Sequence, residues 1–191
     1  MNVLIRCCAA KNGEATVVGS DTTVVKTLPS AQRGADPLAQ TGSGGPLPNS
    51  DLLVRAARGH RVVGGQLLWY TRDLAVLHER RLVGRGGSIV TDPDRLVEIE
   101  RRRMELVLAI DDWVGRNIPQ HRLGVTLHTE TIGAIIDRLA ESAVRAHHSL
   151  MTLDADNELL HSAWLHLAEL ADAYDALVGD IVAGKRRLPE W

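Results

Sequence analysis

Helical periodicity recurs four times along this chain, and each time after residue 50. The first apolar seam runs Leu53, Ala56, His60, Val63, Leu67, Tyr70, Leu74 and Leu77, in alternating steps of three and four. Such steps return side chains to one face of an α-helix, because each residue turns the chain by about 100°. Gly59, Gly64 and Gly65 lie inside this segment and are candidates for a bend or a break. It ends before Gly84-Arg85-Gly86-Gly87. A second helix is predicted from Asp92-Pro93, a capping carboxylate followed by proline in the first turn. Its seam is Leu96, Ile99, Arg103, Leu106, Ile110, Trp113 and Asn117, and Pro119 closes it. The third is predicted to be capped by Thr129, with Glu130 in its first turn, and continues Ile132, Ile136, Leu139, Ala143, Ala146, Leu150. The fourth starts near Asp156 and runs Leu160, Ala163, Leu167, Leu170, Tyr174, Leu177, Ile181. Gly184 is its expected stop. Four amphipathic helices with short connections predict an all-α domain over residues 51–188. The expected arrangement is an antiparallel up-down-up-down four-helix bundle with crossings near 20°.

Residues 1–50 carry no comparable periodicity. They hold six of the 17 glycines and four of the seven prolines, so they are expected to form a disordered or poorly ordered tail. Gln40 to Asn49 reads as a linker. The valine pairs between Thr16 and Lys26 would suit a short hairpin, but one without a core of its own. A start assigned upstream of the natural one would give the same composition.

Polar residues interrupt the seams at His60, Arg103 and Asn117. An arginine on a seam needs a carboxylate partner, since an unpaired buried charge is costly. The register estimated from the connections places Asp73, Arg103 and Arg145 at one level, with Asp137 as the alternative partner about a turn and a half away. Such a network is either a structural device that fixes register or a ligand site. On the third helix Glu130, Asp137, Glu141 and His148 follow at steps of 7, 4 and 7, within a stripe of roughly 40°. The same register brings Asp111, Asn117 and His60 towards the Glu130 end. Carboxylates and a histidine from facing helices are what a metal site in a bundle requires, and a purely structural set of hydrogen bonds would use the same residues. The Glu-x-x-His pair of di-iron bundles occurs once, at Glu158 and His161, where two copies are needed. The acidic row Glu169, Asp172, Asp175 and the run Arg101-Arg102-Arg103 read mainly as solvated faces, apart from Arg103.

Composition narrows the function classes. The net charge of −2 gives no reason for attraction to nucleic acid or an anionic membrane, and no stretch has the roughly 18 apolar residues of a membrane span. The two cysteines, Cys7 and Cys8, are adjacent and cannot form a disulfide framework or a zinc site alone. The opening residues do not read as a secretory signal, because the apolar run is short and Arg6 follows it. A cytoplasmic protein is expected.

The stretch Thr129-Glu130-Thr131-Ile132-Gly133, continuing to Asp137-Arg138-Leu139, resembles the hallmark of the bacterial helical family known as domain of unknown function 4254. Leu68-Trp69, Asp73 and Ala75 are similar to that family's second motif, with Arg72 and Val76 where the family has Glu and Arg. Arg145 and His148 fall where it often has Lys and His, and Ile110 to Val114 with Leu127 to Thr131 is similar to its actinobacterial branch. The resemblance covers about residues 52–188. It implies a helical fold and marks positions, but brings no activity and no cofactor. Two functions are therefore expected as alternatives. One is a protein-protein interaction or structural module that docks a partner or its own copy. The other is a small-molecule or metal-dependent enzyme built on Asp73, Arg103, Glu130, Asp137, Arg145 and His148.

Overall fold

The computed structural model describes residues 46–61, 63–82, 92–119 and 124–189. Five helices dominate it: α1 (Ser50–Ala57), α2 (Gln66–Leu82), α3 (Pro93–Asn117), α4 (Ile132–Thr152) and α5 (Glu158–Val182). Two short strands, β1 (Thr126–Leu127) and β2 (Arg186–Arg187), pair in parallel and tie the α3–α4 connection to the segment after α5. Most of the tail expected over residues 1–50, the cysteines and Gly84-Arg-Gly-Gly lie outside the described residues.

The first predicted helix is two helices. Gly59 adopts a left-handed backbone, φ 74°. Its N–H donates to the Ala56 carbonyl and the His60 N–H to that of Arg55. This is the Schellman ending that a residue without Cβ allows at low cost. His60 is thereby exposed in the connection rather than in a seam, and Val63 is exposed with it. The same ending recurs at Gly184, φ 68°, where Gly184 and Lys185 donate to Ile181 and Asp180. At the other ends, Asp92 accepts from the Asp94 N–H with Pro93 beside it. α4 is capped by Thr131 rather than Thr129, its hydroxyl accepting from the Ala134 N–H. Asn157 caps α5.

α4 packs against every other helix and forms the spine of the core. Ile132, Ile136, Leu139, Ala140, Ala143 and Ala146 are all buried along it. α3 runs antiparallel to α4, since Asp111 meets Gly133 while Arg103 meets Asp137. α3 is also antiparallel to α2, where Arg103 and Glu100 lie level with His78 and Arg81. The helical domain expected from the four seams is present, with five helices among the described residues. Among the described residues α5 approaches α4 and α1 closely but not the backbones of α2 or α3, and α1 packs against α2, α4 and α5. α1 and α5 are antiparallel. Ser50 donates its N–H and hydroxyl to Asp175 at 2.8 and 2.6 Å, and Arg58 lies over the Trp164 ring at 5.6 Å. Leu47, expected in the tail, is buried, and Tyr174 donates its hydroxyl to the Pro48 carbonyl at 2.9 Å.

The α3–α4 crossing depends on one glycine. A Cβ at Gly133 would come within 2.5 Å of the Val107 carbonyl oxygen and 2.7 Å of Asp111 Oδ1. Gly133→Ala is thus expected to destabilise the fold by about 1–3 kcal/mol, as overpacking does. Helix propensity alone favours alanine by about 1 kcal/mol, so the sign separates the two effects. Urea midpoints of the two proteins provide the check, and a stabilised variant would mean that the helices are free to separate.

Candidate functional site

The polar residues of the core meet where α2, α3 and α4 face one another. Asp137 projects from the buried face of α4, its side chain 9% exposed. Its Oδ1 is hydrogen-bonded to His78 Nε2 of α2 at 2.9 Å, and its Oδ2 accepts from Arg103 Nη1 of α3 at 2.5 Å. An ionised carboxylate only accepts, so Nε2 carries the proton in this bond. Arg103 also donates through Nε to Glu100 Oε2 at 2.9 Å, and Arg81 pairs with Glu100 at 3.3 Å. Burial works against the Arg103 charge, yet the bonds to Glu100 and Asp137 outweigh it and hold its pKa above the ordinary value.

Asp137, not Asp73, is therefore the core partner of Arg103. Asp73 is exposed on α2. The level of Arg103 is taken by His78, about a turn and a half further along α2 than the loop-based register placed it. Arg145 is exposed and pairs with Glu141 at 2.7 Å. Glu130 precedes α4 and binds Arg138 at 2.6 Å. His148 is half-buried near the end of α4. The stripe read as a metal-type constellation is thus divided among separate partners. Among the described residues, no group of three or more His, Cys, Asp or Glu side chains is placed to hold a metal ion.

The secondary candidates have structural partners too. Asp111 Oδ1 accepts from the Gly133 N–H at 2.7 Å and its carboxylate from the Thr131 hydroxyl, so an α3 carboxylate closes the start of α4. Asn117 donates to the Trp113 carbonyl at 2.7 Å. In the acidic row of α5, Asp175 holds the start of α1 while Glu169 and Asp172 are exposed. His161 is exposed, with Nδ1 beside the Asn157 carbonyl.

His78 is the residue that sequence reading missed. The seam drawn through Leu67, Tyr70, Leu74 and Leu77 passes one residue to its side. The face actually buried also takes in Leu68, Thr71, Ala75 and His78. The signal was present as Leu68 and Ala75, two small or apolar residues at a spacing of seven beside the chosen seam. Next to this centre, a cavity of about 140 Å³ is lined by His78, Arg81, Leu82, Glu141, Val144 and Arg145.

Five helices packed about α4, with no helix among the described residues long and apolar enough to cross a membrane, define an all-α domain. Residues 87–189 match the family described as Protein of unknown function (DUF4254), and the chain belongs to that family. The matched segment contains α3, α4 and α5, so Arg103 and Asp137 lie within it and His78 before it. Comparison with curated proteins and with solved structures finds no match.

Two outcomes are expected. Asp137→Asn should cost up to roughly 3–5 kcal/mol, because it leaves the Arg103 charge short of a partner, and Arg103→Met in the same chain should restore part of the loss. A double-mutant cycle measures this, and coupling below about 0.5 kcal/mol would dissolve the pairing. The second concerns Asp111, whose pKa is raised by burial against the lowering effect of its Gly133 and Thr131 bonds. The fold then binds this proton more tightly than the unfolded chain does. Its contribution to stability is present below the unfolded pKa and lost as pH rises through the raised folded value. Asp111→Asn should remove that loss, so its urea midpoint should rise relative to the parent as pH climbs above the ordinary aspartate range. Parallel curves would show that the carboxylate is not strained by burial.

Proposed function

We propose that this domain is a protein-protein interaction module whose contact face is the outer side of α3. The supporting observation is a stripe of exposed apolar residues with no partner among the described residues. Among the described helices, α3 packs against α2 and α4. Val97, Met104 and Leu108 are 67%, 56% and 60% exposed, and at about 100° per residue they fall within a band of roughly 40°. Contiguous exposed apolar surface of this kind marks interaction sites more often than isolated exposed residues do. Leu108 also borders a groove of about 690 Å³ that continues over Val114, Gly115, Ile132, Leu188 and Pro189. The polar centre supports the same reading from inside. Thr131 caps, Gly133 permits the crossing, Asp137 clasps two helices, Arg138 holds Glu130 and Leu139 fills the core. The segment from Thr129 to Leu139, which resembles the family hallmark, thus builds the scaffold.

A second reading, a small-molecule enzyme, is favoured by one observation. His78, backed by Asp137, lines the 140 Å³ cavity, with Arg81, Arg145 and Glu141 beside it. A thermal-shift screen of divalent metals and nucleotide sugars tests it. Saturable binding near one per chain that is lost in Arg145→Ala would favour this reading over the first.

For the interaction reading, a photoreactive amino acid at Met104 of the full chain, in cells that naturally make it, should yield covalent adducts with protein. The same probe at exposed His166 on α5 should not. Leu108→Asp should abolish the adducts while changing stability by no more than about 0.5 kcal/mol, as exposed substitutions do. No adduct from α3 would sink the module.

A further inference from the structure

We infer that the cavity beside His78 binds one small hydroxylated apolar molecule, about the size of phenol, whose hydroxyl donates to His78 Nδ1. The inference rests on the cavity of the second reading above and names the ligand it takes. His78 is 4% exposed, so its ring belongs to the buried wall. Nε2 is committed to Asp137 at 2.9 Å and carries the proton in that bond. In the neutral ring Nδ1 is then an acceptor, and it has no hydrogen-bond partner among the described residues. It is not sealed off either. Among the described residues, the side-chain atoms buried without a partner are His147 Nδ1 and Arg187 Nε. His78 Nδ1 therefore keeps access to something other than protein, and the space that His78 lines is this cavity. Asp137 stays a structural group. It fixes the tautomer and leaves the second nitrogen for a ligand.

Size and lining select the ligand. The cavity measures about 140 Å³, and an apolar cavity of roughly 150 Å³ takes a benzene ring. Buried Val144 and half-buried Leu82 give it carbon walls, which the stems of Arg81 and Arg145 extend. Water suits this space badly, because a held water needs about two to four polar partners and the buried wall offers one acceptor. A single hydroxyl on an aromatic body satisfies that acceptor and covers the carbon walls together.

Charge argues against an ionic ligand. The charged groups of the lining are already matched, Arg81 with Glu100 at 3.3 Å and Arg145 with Glu141 at 2.7 Å. The two arginine side chains are 50% and 66% exposed, so they mark the side on which the cavity opens. An anion would have to break one of these pairs, and a neutral molecule breaks neither. His78, Arg81 and Leu82 come from α2, and Glu141, Val144 and Arg145 from α4, so the bound molecule bridges the two helices.

The test is a titration of the full-length chain with phenol at about pH 8, where an ordinary imidazole is neutral. Toluene, the same size without the hydroxyl, is the control. Saturable binding of one phenol per chain is expected, with a Kd of roughly 0.1–5 mM for so few atoms. Toluene should bind about tenfold more weakly or worse, because it leaves the acceptor unmet. The nitrogen-15 resonance of His78 Nδ1 should move with phenol and stay with toluene. Val144→Phe should fill the cavity and cut phenol affinity about tenfold or more, with helical circular dichroism to confirm the fold. Should that variant not fold, the His78 resonance of the parent protein decides alone. Absent phenol binding, equal affinity for toluene, an unmoved Nδ1 signal or undiminished affinity in folded Val144→Phe overturns the inference. If phenol fails while a metal or nucleotide sugar binds and is lost in Arg145→Ala, the cavity is still a site and only its ligand class is wrong. If none of them binds, the small-molecule reading fails as well.

Discussion

Asp137 is a carboxylate on the buried face of the helix that touches all the others, and its charge has to be met from two directions at once. One oxygen is satisfied by His78 of α2 and the other by Arg103 of α3. Neither partner can be supplied by α4 itself, so the three helices have to stand in a single register for the charge to be tolerated. Apolar packing alone would leave that register loose, because leucine and alanine seams slide by a turn at modest cost. The fold therefore draws its definition from a polar contact and its bulk stability from the surrounding Ile136, Leu139, Ala140, Leu74 and Leu106.

The same logic governs the helix starts. The first N–H groups of a helix have no partner within it. In α4 they are met by Thr131 from within and Asp111 from α3, and in α1 by Asn49 from within and Asp175 from α5. Each carboxylate satisfies orphan donors and fixes a neighbouring helix together. Residues with the chemistry of a site are in this way absorbed into scaffold.

Much of this was legible in the sequence, and the exceptions have physical causes. The seams of α4 and α5 and the ends at Asp92-Pro93 and Gly184 follow from local rules that need no partner, and they stand where periodicity and capping put them, apart from Leu150, which is exposed. The division at Gly59 was visible only as a candidate break, since the apolar steps continue through it. The core pair was harder. Arg103 announced a need for a carboxylate, but which one depends on how far α2 slides against α3, and loop lengths resolve that no better than a turn. His78 stayed hidden because a buried histidine on the flank of a seam looks like a solvated one until its partner helix is in place. The metal-type stripe failed for a related reason: residues that share one helical face need not share one target.

The central claim is that the Asp137 contact holds α2, α3 and α4 together rather than forming a site for something else. Amide hydrogen exchange, compared between the parent and Asp137→Ala and read helix by helix, tests it most directly. The account predicts that protection falls around His78 and Arg103 as well as around position 137, on all three helices together. Protection lost in α4 alone, with α2 and α3 unchanged, would contradict it.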